Sequence, residues 1–454
     1  MAKARRLGRF AARLAHFPKW ALGLPLVPIL AIALALWWFN PRLTAYLEGP
    51  SFKAELDKQT SKGLHFTGAY SSIKRTGFAT GASPHFEASE GVKAFKSVVA
   101  DDITGEFNPW GVFLRRWQLQ YINIRSGRAE IQIYEPKPDH KPPKPWYAIF
   151  MPDRVYLKEV TCDSTDIIWH MRKKEAGFYG AWLLITPYGR DFEYHATGGK
   201  LKIPSLPDLT LRDLHMVITK EWITLHEIHL SEGEKGTLSA KGKAGLKSDK
   251  SMQMSANFAD IPIGAWIPKS GAEEVRGSAS GELDMQSPDE KIETSSGQGS
   301  VRLQNARVGG LPFLDYVASA TRNKSIEQLE LSQCSLAFQW KYPRVEARDI
   351  KVEAKGEFRI EGGIVVDGGK IDGQVEFGVS ERNIAWLPKA KEQIFTRPEG
   401  GYFWTKVRLG GTLKEPTNDL IPRLTETLKA SPDVSAGLFF RQLGEWFEQK
   451  FKGN

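Results

Sequence analysis

Apolar and polar residues alternate with a period of two along most of the chain beyond residue 60. The clearest run is 325–380. Leu329 and Leu331 alternate with polar neighbours, and Leu336, Phe338 and Trp340 do so on the other parity. Val345/Ala347, Ile350/Val352/Ala354, Phe358/Ile360 and Val375/Phe377/Val379 continue the pattern. A period of two gives each strand one apolar and one polar face. Tyr342-Pro343, Lys355-Gly356, Gly362-Gly363 and Asp367-Gly368-Gly369 separate the runs as turns, and Asp-Gly between apolar runs favours a hairpin. The stretch predicts an antiparallel meander with one apolar face.

The same pattern predicts strands at 64–76, 86–100, 117–124 and 128–134. It predicts further strands at 166–170, 181–186, 192–203, 209–219, 221–230, 237–246, 252–258, 275–285 and 299–308, and a last one at 402–413. Residues 108–113 and 261–268 read as breaks. Helical spacing occurs at 40–62, interrupted at Gly49-Pro50, and again at 311–322, 383–395, 420–428 and 434–451. In the last of these Leu438, Phe439, Leu443, Trp446, Phe447 and Phe451 form an apolar stripe suited to covering a sheet edge or to docking on a membrane or partner. About eighteen to twenty strands result, more than an open sheet holds without curling or splitting.

One segment breaks the alternation. Residues 20–39 (WALGLPLVPILAIALALWWF) carry no charge and have the length of a helix that crosses a bilayer. Trp20 at one end and Trp37-Trp38 at the other suit an interfacial aromatic belt. Ala31-x-Ala33 and Ala33-x-Ala35 resemble signal-peptide cleavage sites, but the apolar run continues past them, which favours an uncleaved anchor. Lys3, Arg5, Arg6, Arg9, Arg13, Lys19 and Arg42 precede the first acid, Glu48. This basic flank places the N-terminus in the cytoplasm and the bulk of the chain outside.

Charge changes the picture in one respect. The net charge is +9, but most of the excess lies in that tail, so the folded part lacks the basic face that nucleic-acid binding needs. Cys162 and Cys334 lie far apart in strand-like runs and read as small apolar residues, although pairing stays open. Residues 135–145 (EPKPDHKPPKP) exclude a central strand and read as a loop. No enzyme signature emerges. His226-Glu227-Ile228-His229 is not a metal motif, because in a regular strand His226 and His229 face opposite sides. Asp101-Asp102 reads as a strand-end turn. No cofactor is expected and no catalytic residue is assigned.

Three stretches resemble the AsmA-like proteins, relatives of TamB and of the repeating β-groove lipid-transfer proteins. They are 297–319 (GQGSVRLQNARVGGLPFLDYVAS), the meander 325–380, and 401–424 (GYFWTKVRLGGTLKEPTNDLIPRL). The resemblance implies an inner-membrane protein of a double-membraned cell, single-pass, with its bulk in the periplasm. Its fold class would be mainly β: an N-terminal transmembrane helix, then an elongated, curled, groove-like antiparallel sheet with a few short helices and an amphipathic C-terminal helix. The implied organisation is a basic tail (1–19), the anchor (20–39), a helix-plus-β module (40–134), the proline-rich loop (135–145), a middle β region (146–290), an AsmA-like β region (291–416) and a helical tail (417–454).

The resemblance also implies function. The apolar groove would hold the acyl chains of phospholipids or other acyl lipids and support their movement between membranes, or outer-membrane homeostasis. Phe338, Trp340, Val352, Phe377 and Trp404 are the candidate groove residues. The alternative is a non-enzymatic envelope scaffold whose apolar face binds a partner protein.

Overall fold

The structure, a computed structural model, describes residues 26–429 except 65, 92–94, 109–116, 133–154, 172–173, 190, 205, 220, 247–249, 267–274, 290, 310–323, 325–327, 386–388 and 414. Several expected features lie outside these residues: the basic tail, Trp20, the proline-rich loop 135–145, the helix expected at 311–322 and the C-terminal helix 434–451. The described chain is mainly β, with twenty-four strands, and it divides into two compact units, Met1–Leu157 and Lys158–Asn454.

The first unit opens with helix α1 (Leu26–Leu47), followed by α2 (Pro50–Leu64). The helix expected to end at residue 39 runs on through Pro41, and the break falls at Gly49-Pro50, where proline suits a first helical turn. Among the described residues no helix is long and apolar enough to cross a membrane, and part of the 20–39 segment lies outside them. Strands β1 (Thr67–Tyr70), β2 (Lys74–Arg75), β3 (Thr80–Ser89), β4 (Phe95–Phe107) and β5 (Trp117–Ile131) form antiparallel ladders, and β6 (Val155–Leu157) adds in parallel to β5. The expected strand 86–100 therefore straddles the β3–β4 hairpin, and 117–124 and 128–134 merge into one strand. Phe66, Phe86, Ala88 and Ala100 form the core of the unit. Arg75 ties α1 to the sheet. Its guanidinium donates to Asn40 and, at 2.9 Å, to Thr44, while Glu48 Oε1 accepts from its backbone N–H at 2.9 Å.

The second unit is one antiparallel meander. It contains β7 (Val160–Met171), β8 (Lys174–Tyr188), β9 (Asp191–Thr197), β10 (Lys200–Lys202), β11 (Leu209–Ile218), β12 (Trp222–Glu232), β13 (Gly236–Gly245), β14 (Met252–Pro262), β15 (Val275–Ser287) and β16 (Ser296–Gly309). It continues through β17 (Gln328–Leu331), β18 (Gln333–Lys341), β19 (Arg344–Ala354), β20 (Phe358–Asp367), β21 (Lys370–Ser380), β22 (Arg397–Glu399), β23 (Tyr402–Gly411) and β24 (Pro416–Asn418). Strands β9 and β10 share one place beside β8, as β17 and β18 share one beside β16. Helices α3 (Glu381–Ile384), α4 (Ala390–Gln393) and α5 (Leu420–Lys429) are short.

Bulges interrupt the ladders repeatedly. Asp102, Asp260, Asn305 and Asp349 all take positive φ near 50° within strands and are exposed. Asp and Asn tolerate this conformation better than other residues with a Cβ. At Asp260, Asn305 and Asp349 one strand carries an extra residue and bends, whereas the ladders stay in register through Asp102. Three sequence expectations are corrected. Asp101-Asp102 lies inside β4 rather than at a strand-end turn. Gly362-Gly363 lies inside β20, where Gly362 has φ 148°, and is not a turn. His226 and His229 do not face opposite sides: the bulge between Leu225 and Ile228 inserts one residue and brings both rings to one face.

Candidate functional site

The register of the second unit lines up its apolar residues across strands. From β8 to β23 the directly opposed residues run Leu183, Ala196, Leu214, Ile228, Ala240, Ala256, Leu283, Gly299, Phe338, Ala347, Ile364, Gly373 and Leu409. Every one is apolar or glycine. Two parallel rows flank it. One contains Met254, Met285, Gly297, Trp340, Val345 and Val366. The other contains Leu211, Leu230, Leu238, Phe258, Gly281, Val301 and Leu336. Strands stand ~4.8 Å apart, so the first row measures on the order of 60 Å along the sheet.

One residue along each strand, the chemistry reverses. Lys241, Ser255, Asp284, Gln298, Gln339 and Glu346 oppose one another in sequence on the other face, and Gln339 Nε2 donates to Glu346 Oε2 at 3.0 Å. A single-residue slip anywhere would exchange the faces, and burial of one of them fixes the register.

The aromatic residues of the face lie over glycines. A Cβ at Gly299 would stand 2.7 Å from Phe338 Cζ, and one at Gly281 would stand 2.8 Å from Phe258 Cζ. Trp340 covers Gly297 in the same way. Rings that lie against a bare backbone keep the face shallow.

Burial divides the face lengthwise. At the β8–β12 end Ala181, Ala196, Leu201, Leu209, Leu211, Leu214, Ile228 and Leu230 form a buried cluster, against which Trp266 packs. At the β21–β23 end the segment carrying α3 and α4 covers the sheet: Ile384, Ala390, Ile394 and Phe395 pack with Val379. Between these ends Ala256, Leu283, Phe338, Ala347 and Ile364 are half-buried. A cleft of about 660 Å³ over the same strands is lined mainly from the polar row, by Ser255, Asp284, Gln298, Gln339 and Glu346, with Met254, Met285 and Trp340 also reaching it.

The expected groove residues separate into three groups. Phe338 and Trp340 lie on the half-buried middle of the apolar face, with ring centroids 6.0 Å apart. Val352 joins them on that face, between Cys334 and Ile360. Phe377 has the right face, but Phe395 packs edge-on against it at 6.2 Å. Trp404 is a correction. It opposes Gly378 rather than Phe377, which puts it on the other face, where it is 8% exposed and donates from its indole N–H to Glu399 O at 3.0 Å. The alternation misleads there because Tyr402 and Trp404 are buried on one face of β23 and Val407 on the other, so both faces carry buried apolar residues. Cys162 and Cys334 are free thiols that oppose Leu183 and Val352 on the apolar face, where burial pushes both thiols up from their ordinary values.

In the first unit, Leu34, Trp37, Trp38 and Phe39 of α1 are exposed, and the Arg42 guanidinium sits 3.6 Å over the Trp38 ring. No protein-family model, curated protein or solved structure matches this chain.

Proposed function

We propose that the apolar face of β8–β23 binds the acyl chains of lipids and lets them move along the sheet, in a protein anchored to the inner membrane by its N-terminal segment. The observation that carries this reading is the uninterrupted row of apolar and glycine residues from Leu183 to Leu409, half-buried through its middle. A protein partner needs polar contacts to fix its register, whereas an acyl chain needs only a continuous apolar track. Burying roughly sixteen methylenes gains on the order of 10 kcal/mol before ordering costs. The proposed activity is non-covalent.

Exposed Trp37, Trp38 and Phe39 beside Arg42 have the composition of a helix end at a membrane interface, which supports the anchor. Phospholipid transport between membranes, or a contribution to outer-membrane homeostasis, follows from this placement and from the resemblance to the AsmA-like proteins.

Site-specific photo-crosslinking in the full-length chain tests the proposal. A benzophenone amino acid at Phe338 should form lipid adducts in native membranes, detected by mass spectrometry, and one at neighbouring Gln339 should not. Absence of lipid at both 338 and 340, with a protein captured instead, would make the face a scaffold surface.

A further inference from the structure

The face opposite the apolar rows carries a cluster that the lipid reading does not use. His195 on β9 and His215 on β11 are direct cross-strand partners, and their rings stack with centroids 4.4 Å apart. His226 on β12 stacks on the other side of His215 at 4.6 Å, brought there by the bulge in its strand. Glu193 lies two residues before His195 on the same face. Its Oε1 accepts from His215 Nε2 at 2.7 Å and lies 3.7 Å from His195 Nε2. One ligand atom from each of Glu193, His195 and His215 lies within 4.8 Å of the other two.

We propose that Glu193, His195 and His215 bind a divalent transition-metal ion of the zinc class. Two imidazoles and one carboxylate are a ligand set that Zn²⁺ accepts with a fourth position open. The proton that His215 shares with Glu193 occupies the place the ion would take. A second carboxylate, Glu227, is the cross-strand partner of His215 and bonds His229 at 3.3 Å, so the surrounding charge favours a cation. The three primary side chains are 26–37% exposed, open enough for an ion to enter and for the rings to turn toward it. A bound ion would clip β9 and β11 together across the polar face, behind the buried cluster at that end of the apolar one.

The test uses the full chain without a histidine tag, in detergent, titrated with Co²⁺ as a spectroscopic probe and then with Zn²⁺. One equivalent of Co²⁺ should give visible ligand-field bands that Zn²⁺ abolishes, and Zn²⁺ should slow hydrogen exchange in β9 and β11. His195→Asn, His215→Asn and Glu193→Gln should each weaken binding at least about tenfold. His229→Ala, which removes a ring outside the cluster, should leave it unchanged. Glu193→Gln keeps shape and volume, so its effect separates ligation from folding. Absence of the bands, or binding that survives all three substitutions, would overturn the site.

Discussion

Gly299 lies directly across the ladder from Phe338, and the ring Cζ stands 2.7 Å from the place a Gly299 Cβ would occupy. The backbone carbonyl of Glu282 crowds the same place from the other side. Gly299→Val should therefore destabilise the chain by roughly 1–3 kcal/mol through overpacking and should lift Phe338 off the sheet. Adding Phe338→Leu should recover only part of the loss, because the carbonyl stays. Denaturant unfolding of the single and double variants checks this, and full recovery in the double variant would contradict it.

The period of two carried most of the fold, and Phe338 and Trp340 show why. Each stands on a strand with a polar opposite face, so parity alone assigns its side. Trp404 shows the limit: its strand is covered on both faces, Tyr402, Trp404 and Val407 are all buried, and parity carries no information. The histidine cluster was hidden for another reason. Glu193, His195, His215 and His226 are spread over three strands, and their meeting depends on register and on a bulge, neither of which alternation encodes. The Asp-Ile pairs at 260–261 and 349–350 are a local signal that such bulges leave in the sequence.

Asp349 tests that signal. Its φ of 50° suits aspartate, asparagine or glycine and strains a β-branched residue. Asp349→Val should cost on the order of 1–2 kcal/mol and Asp349→Gly little or nothing. The side chain is exposed, so the difference isolates the backbone. Equal stability of the two variants by thermal unfolding would place the bulge elsewhere.

In the first unit, His85 Nδ1 donates to Asp101 Oδ1 at 2.6 Å. This hydrogen bond pushes the His85 value up and holds that of Asp101 down. A raised histidine contributes stability that is complete below its unfolded value, about 6.5, and is lost as the pH rises through the folded one. A lowered aspartate contributes stability that is complete above about 3.9 and is lost as the pH falls through its folded value. The pair therefore supports the β3–β4 hairpin best between about pH 4 and 6.5. Hydrogen exchange of β3 and β4 amides across this range should show greatest protection inside it, and Asp101→Asn should flatten the profile. Because both groups are exposed, added salt should shrink the effect.

One buried carboxylate, beside the apolar packing of Ile384, Ile394 and Phe395, ties the cover over the β21–β23 end of the face to the sheet. Glu357, in the turn between β19 and β20, is 6% exposed and accepts from Asn383 Nδ2 at 2.7 Å and from the Arg382 guanidinium. Its backbone carbonyl accepts from the Ser380 N–H at 3.0 Å, just before α3 begins. Glu357→Ala leaves the buried Asn383 amide without its carboxylate partner, at a cost of about 1–3 kcal/mol. That loss should fall on the segment carrying α3 and α4, whose own helices are too short to hold by themselves. Hydrogen exchange should accelerate at 381–385 and 389–395 while β14–β16 keep their protection. As the cover loosens, Phe377 should lose its contact with Phe395 and become accessible, so a benzophenone placed at 377 should capture lipid in the Glu357→Ala chain and not in the parent. Uniform acceleration across the whole meander would instead show that the cover and the sheet unfold as one.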